Sequence, residues 1–496
     1  MVRWGTDAQG THCREGEAGY NVFLEGTMED TQRSQPVSTN NQEIAMQTVQ
    51  ETEELFLKST NGGHSMILAG EPSFVGIRLL AEANPGMIFT SLAHRINLGM
   101  LRFAFKQIRK SDAAGVDEVT AKEYAENLDE NLYNLRERLL RGQYVAMPVK
   151  RIWIEKAGGK LRPIGILALE DKIVQKAVSL IMYAIYDVDF YDFSYGFRKN
   201  HSQHMALRDL RAQCIEKNIN WILDADISGF FDNIDKKLLR EFIKQRINDG
   251  GILRLIGKWL NAGVLEEGNL KYPEAGTPQG GVISPLLSNI FLHHVLDTWF
   301  VNEVQPRLKG KSFIIRFADD FIIGCELKAD ADRIMEVLSK RFKRFALSLN
   351  TDKTSLIPFG RPSKSDNSAK PSGTFDFLGF TFYWSKSRRG YWVIKKKTIG
   401  KRLRRFTKSL WDWCKKNRHK PIKEQYEKLC TKLRGYYQYF GVISNYKALE
   451  VVFEYAEKSW RRWLGRRHRD GRISWEKFEK IRATFPLPKP RIVHNI

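Results

Sequence analysis

Three rhythms of apolar and polar positions run along the 496-residue chain. In Phe313-Ile314-Ile315-Arg316-Phe317-Ala318-Asp319-Asp320-Phe321-Ile322-Ile323-Gly324, two β-branched and aromatic runs flank a pair of acids, which predicts a β-hairpin with Asp319 and Asp320 at its tip. Residues 221–234 (WILDADISGFFDNI) predict a strand whose alternation turns Leu223, Ala225 and Ile227 to a core face and Asp224 and Asp226 to a cleft. Gly229 ends that strand, and a helix is expected from Lys236. The run from Tyr144 to Lys156 is extended, turns at Gly158-Gly159 and returns through Lys160 to Ile166, a hairpin with cations on both arms. An aromatic strand is expected over 375–382.

Helical spacing accounts for most of the remainder. Helices are expected within 89–105 and from Thr120, separated by the break at Gly115. Gly276-Thr277-Pro278-Gln279-Gly280-Gly281 reads as a tight loop leading into an amphipathic helix from Ser284 (SPLLSNIFLHHVLDTWF). A further helix covers 330–345, with Asp330 as its N-cap. Leu403, Phe406, Leu410 and Trp413 repeat at helical spacing, as do Tyr426, Leu429, Leu433, Tyr437 and Phe440, and then Leu449, Phe453, Ala456, Trp460 and Trp463. This predicts a three-helix unit with an aromatic seam. Towards the N-terminus, 1–27 reads as irregular, 40–59 as a helix and 60–85 as a Gly, Ser and Pro-rich connector, so compact structure is expected from about Pro85.

Composition adds a partner class. The chain carries 80 Lys+Arg against 57 Asp+Glu, a formal net charge of +23, with 42% hydrophobic residues. It can therefore bury a large core while repelling itself electrostatically, which points to a polyanion such as nucleic acid. The excess concentrates between Lys386 and Lys420, where fifteen Lys or Arg accompany a single acid, Asp412. The five cysteines lie far apart without a Cys-x-x-Cys pair, so neither a disulfide framework nor a zinc site is indicated. His201/His204 and His293/His294 read as ordinary helix or loop residues. No apolar run reaches a membrane span and no secretory pattern opens the chain, which leads to the expectation of a soluble, cytoplasmic protein.

Acids on two neighbouring strands are what nucleotidyl transfer needs, because two Mg2+ ions about 4 Å apart must be held between the primer hydroxyl and the leaving pyrophosphate. Asp226 with Asp319 and Asp320 meets that requirement. In order, LRPIGI, FSYGFRKNHS, DADISGFFDNI, GTPQGGVISPLLSNIFL, FADD, LSLNTDKTSL and FDFLGFTF resemble the successive reverse-transcriptase motifs of bacterial group II intron-encoded proteins, and LRGYYQYFGVISNY resembles their maturase or thumb region. The resemblance covers roughly residues 85–470. It implies an α+β right-hand polymerase, with fingers and an antiparallel palm sheet over 86–385, a helical thumb/maturase domain over 386–470, an N-terminal extension over 1–85 and a tail over 471–496. One departure is Phe317, where the family commonly has Tyr.

Carried over residue by residue, the resemblance implies that Asp226, Asp319 and Asp320 form the acidic metal cluster, helped by the backbone carbonyl of Ile227. Phe231 falls where the family places its sugar-gating aromatic, a role that disfavours an RNA-templated RNA polymerase. Lys156 and Arg162 match triphosphate contacts, Gln279 matches a contact to the incoming nucleotide, and Lys353 is a candidate general acid. The implied partners are group II intron RNA, an RNA template, a DNA primer or target and dNTP, with nucleoid association during integration. No endonuclease motif follows the maturase region, so priming from a nick made elsewhere, for instance at a replication fork, is expected. Two other readings stand beside this one: an RNA-binding splicing factor with a vestigial polymerase, and a domesticated or defence reverse transcriptase without an intron.

Overall fold

The computed structural model describes residues 74–155, 161–266, 269–272, 275–276, 280–362, 373–467, 471 and 473–496. The strands within them are, in chain order, β1 (Val149–Glu155), β2 (Leu161–Ile166), β3 (Trp221–Ala225), β4 (Val264–Glu266), β5 (Asn269–Lys271), β6 (Ser312–Phe317), β7 (Asp320–Cys325), β8 (Ser355–Pro358), β9 (Phe375–Phe377), β10 (Phe380–Lys386) and β11 (Trp392–Thr398). They form three sheets, antiparallel except where β1 meets β4, and the region after β11 is helical. The fold is thus mixed α/β, arranged in two compact units that interleave along the chain.

One unit comprises the described part of Met1–Lys199 with Ile227–Asn302 and Lys340–Ser348. Its sheet has the order β2-β1-β4-β5, and the expected basic hairpin is present with Glu155 opposite Leu161. The helix Leu169–Asp189 runs through this unit's core and packs against helices Val75–Ala83 and Leu98–Gln107. The helix Val75–Ala83 corrects the expectation of a connector up to residue 85. Its buried stripe is Ile77 and Ala81, one turn apart, whereas all but one of the glycines and serines that suggested a connector lie before it, Gly76 falling in its first turn. The expected helix over 40–59 and the irregular segment 1–27 lie outside the described residues.

The helix Ser284–Leu292 was expected to be amphipathic, yet every side chain from Leu286 to Leu292 is buried. Burial on all sides is tolerable because its polar groups are satisfied: the Ser288 hydroxyl donates to the Ser284 carbonyl (2.8 Å) and Asn289 Nδ2 donates to the Gly196 carbonyl (2.7 Å).

The other unit comprises Asn200–Asp226, Glu303–Ser339 and the described part of Leu349–Ile496. Its central sheet, β6-β7-β3-β8, is antiparallel throughout, and Ile222, Leu223, Ile322 and Ile323 are wholly buried in it. The predicted single strand over 375–382 is two strands, because Leu378 (φ 45°) and Gly379 (φ 85°) turn the chain between β9 and β10. Helix Lys328–Lys343 begins two residues before Asp330, which is not its cap. Instead, the Asp330 carboxylate accepts the backbone N–H groups of Lys309 (3.1 Å) and Gly310 (2.8 Å).

The three C-terminal helices are Gly400–Lys416, Ile422–Phe440 and Tyr446–Leu464. Leu410, Leu429, Leu433, Tyr437, Leu449 and Trp460 form their seam. A further helix, Trp475–Thr484, buries Phe478 edge-on against Trp460. Among the described residues, four cysteines are free and buried, and no helix is long and apolar enough to cross a membrane.

Candidate active site

Strand register assembles the acids. In β3, Leu223 and Ala225 are buried while Asp224 is half-buried, as the alternation requires. Asp224 stands opposite Ile322 of β7 and Ser355 of β8, and Ala225 stands opposite Phe321. The β3–β7 pairing ends at Ala225 and Phe321, one residue short of Asp226 and Asp320, so Asp226 and the turn between β6 and β7 lie at the same end of the sheet. The turn between β6 and β7 is closed by the Phe317 and Asp320 pair, which leaves Ala318 and Asp319 as its two central residues.

Ala318 has φ 57°, a left-handed conformation that costs a non-glycine residue about 1 kcal/mol. The wholly buried Arg316 guanidinium holds it there by donating to the Ala318 carbonyl (3.0 Å). Asp319 and Asp320 are consequently presented half-exposed at the tip of a rigid hairpin.

Asp226 is fixed through three groups. Its N–H donates to Thr354 Oγ1 (3.4 Å), its carbonyl accepts the Asn350 N–H (2.8 Å), and its Oδ2 accepts the Lys353 ammonium (2.9 Å). The segment before β8 therefore closes over the end of β3. Asp224 sits beside this pair, and its carboxyl is pushed up to about 7, first by burial and then by Asp226 and Asp376, against the opposing pull of Lys353. Asp224, Asp226 and Asp376 are thus close enough at this sheet end to interact electrostatically. The donors are all carboxylate oxygens, the ligand chemistry of a hard divalent cation. Among the described residues, no three His, Cys, Asp or Glu side chains converge on a metal position, and the Lys353 ammonium neutralises Asp226 in this structure.

The other predicted residues that are described belong to the first unit. Phe230 is buried among aromatic neighbours such as Phe291, whereas Phe231 next to it is only half-buried, so core packing does not consume its ring. Ile227 is buried. Arg162 lies on β2 and is half-buried. Gly276 (φ 92°) is seated so that a Cβ would come within 2.9 Å of the Phe231 and Asp232 carbonyl oxygens, and Gly280 (φ 109°) so that one would lie 2.3 Å from the Gly165 carbonyl oxygen. The two glycines fasten the ends of the Gly-rich loop to the Phe231 turn and to the strand that carries Arg162. Lys156 and Gln279 lie outside the described residues.

Three contributors escaped the sequence reading. Arg316 looked like an interruption of an apolar run, and the pairing of Asn350 and Thr354 with Asp226 depends on a register that spans more than a hundred residues. Asp224 did carry a signal, its place on the same strand face as Asp226. In the FSYGFRKNHS stretch, Arg198 is buried and donates to Asp187 Oδ1 (2.8 Å) and to the carbonyls of Tyr191 and Ser194, which makes it an internal clamp.

Comparison with known proteins fits this geometry. The family model described as reverse transcriptase (RNA-dependent DNA polymerase) matches residues 154–382, the stretch that contains both acidic strands. Protein YkfC of Escherichia coli (strain K12) is 34% identical over 331 residues, covering 60% of this chain and 82% of that protein. Group II intron-encoded protein LtrA of Lactococcus lactis subsp. cremoris is 38% identical over 199 residues. The chain belongs to the group II intron reverse transcriptase and maturase family. As a member it contains an RNA-directed DNA polymerase domain, and polymerases of this family depend on divalent metal. The LtrA match covers 40% of this chain and 32% of LtrA, and a putative COX1/OXI3 intron 1 protein of Saccharomyces cerevisiae, 28% identical over 307 residues, is matched over 36% of its length. The chain thus spans about a third of these longer family members.

Proposed function

We propose that this chain copies RNA into DNA from a DNA primer, binds its own group II intron RNA to assist splicing, and thereby supports retrotransposition. The observation that carries the reading is the placement of Asp226 and the Asp319-Asp320 turn at one end of adjacent antiparallel strands, β3 and β7. In this reading β6-β7-β3-β8 is the palm sheet and β2-β1-β4-β5 belongs to the fingers, together covering 86–385. The thumb/maturase domain over 386–470 is then not wholly helical, since it opens with strand β11 before its three helices, and it is flanked by the extension 1–85 and the tail 471–496. The protein works in the bacterial cytoplasm and at the nucleoid during integration.

Asp226, Asp319 and Asp320, with the Ile227 carbonyl, are the groups that would hold Mg2+. Two such ions, when bound, lower the pKa of the primer 3′-hydroxyl and neutralise charge on the leaving pyrophosphate. Arg316 keeps the Asp319-Asp320 turn rigid, so the carboxylates need little rearrangement during the reaction. Lys156 and Arg162 grip the dNTP triphosphate, and Gln279 contacts the incoming nucleotide. The Phe231 ring fills the space of a 2′-hydroxyl and so selects deoxynucleotides. Lys353, poised at Asp226, gives a proton from its ammonium to the leaving pyrophosphate.

Intron binding draws on the basic C-terminal helices, where charge neutralisation of phosphates gives affinity that falls with salt. The test is to measure intron RNA affinity and cDNA synthesis side by side while the acids are replaced. Loss of synthesis with binding retained supports two separable functions, and loss of neither removes the active-site assignment.

A further inference from the structure

The hairpin β10–β11 carries Lys386, Arg388, Arg389, Lys395, Lys396 and Lys397, and no acid occurs between Asp376 and Asp412. Strand alternation divides it into two faces. Phe380, Phe382, Trp384 and Ile394 fill the inner one. On the outer face the register sets Tyr383 opposite Lys395 and Thr381 opposite Lys397, and all four are half-buried or exposed. Lys397 Nζ lies 5.2 Å from the Tyr383 ring centroid, and near the tip Lys386 Nζ lies 5.6 Å from that of Trp392. Arg388, Arg389 and Tyr391 are exposed at the tip itself. At the opposite end the Thr381 hydroxyl donates to Asp376 Oδ1 (2.5 Å), so a carboxylate closes the cationic row.

A row of cations that outnumbers the acid beside it repels itself and an outward aromatic ring leaves apolar surface in water, and one ligand relieves both. Phosphates neutralise the cations while an unpaired base stacks on the ring. A duplex supplies phosphates but no free base face, so it would give Tyr383 no role. The seven residues of β10 extend about 20 Å, enough for a short single-strand site of roughly four nucleotides. We propose that the outer face of β10–β11 binds single-stranded RNA, with phosphates on Lys395, Lys397 and the tip arginines and a base on Tyr383. The choice of RNA over DNA rests on the RNA-directed reading above.

The test uses the full chain and a short, unstructured, labelled oligoribonucleotide in a fluorescence anisotropy titration across a salt series. Tyr383→Leu should weaken binding roughly tenfold, while Tyr383→Phe, which keeps the ring, should bind like the wild type. Lys395→Ala with Lys397→Ala should reduce the salt slope by about 1.4. Lys328→Ala with Lys244→Ala, an equal charge loss at two helix ion pairs outside the C-terminal helices, should leave the slope nearly as it was. Crosslinking with 4-thiouridine RNA, mapped by mass spectrometry, should mark residues 381–397. Equal affinity for Tyr383→Leu and wild type, a slope change no larger than that of the control pair, or crosslinks confined to other segments overturns the proposal. Primer extension by the wild type reports separately on the polymerase reading, so either can fail without the other.

Discussion

Replacing Lys353 by Ala separates catalysis from folding, because the structure predicts very different sizes for the two effects. The Lys353 and Asp226 pair is close (2.9 Å), but the lysine side chain is 63% exposed, and solvent screening holds such a pair to about 1 kcal/mol or less. That is a small part of a typical folding free energy and shifts Tm by only about 2–4 °C. Loss of a general acid, by contrast, slows the chemical step by about a hundredfold or more. In single-turnover extension from a preformed primer-template, Lys353→Ala should therefore lower the rate of nucleotide addition about a hundredfold, with Tm nearly unchanged. Lys353→Arg, which keeps the charge but donates its proton poorly, should restore the Asp226 contact and little of the rate. A Lys353→Ala rate within about threefold of the wild type would refute the proton-donor role. A rate loss fully restored by arginine would assign Lys353 to charge neutralisation instead.

Phe231→Ala should admit ribonucleotides and lower the dNTP preference by about tenfold or more in competition assays; unchanged sugar selectivity would remove the gate. Gly280→Ala places a Cβ 2.3 Å from the Gly165 carbonyl oxygen at φ 109°, so it should cost on the order of 2 kcal/mol and raise the KM for dNTP. Equal Tm and KM would show that the loop is not fastened to β2 there. The His204 imidazole is held at about 4, chiefly by burial and further by His494 and Lys396, against the opposing pull of the Tyr439 carbonyl. A lowered folded-state pKa gives stability that is present above pH 6.5 and lost as pH falls from 6.5 towards 4, on the order of 3 kcal/mol in all. The melting temperature of His204→Gln should therefore fall less across that window than that of the wild type, and parallel curves would contradict the burial argument.

Local patterns conveyed much of this molecule, and distant pairings conveyed little. The Asp319-Asp320 hairpin and the cleft face of β3 were legible because period-two alternation and a turn are properties of adjacent residues. The three C-terminal helices were legible from long apolar stripes. The pairing of Lys353 with Asp226 was not, since it follows from β8 adding to β3 in one particular register. Asp330 resembled a helix cap by position, yet its hydrogen-bond donors lie about twenty residues upstream. In β11 the density of lysines concealed the strand alternation, which places Lys396 in the core beside outward Lys395 and Lys397. Arg316 was unreadable for a related reason. A lone cation in an apolar strand suggests exposure, and only the folded turn supplies the carbonyl that makes its burial tolerable.

The central claim is that Asp226 and the Asp319-Asp320 turn form the polymerising site. Its most direct test is primer extension on an RNA template with Mg2+ and dNTPs, comparing the wild type with Asp319→Ala/Asp320→Ala and measuring intron RNA affinity on the same preparations. The account predicts cDNA from the wild type alone, with intron RNA bound equally by both. Extension by the double variant at the wild-type rate would contradict it.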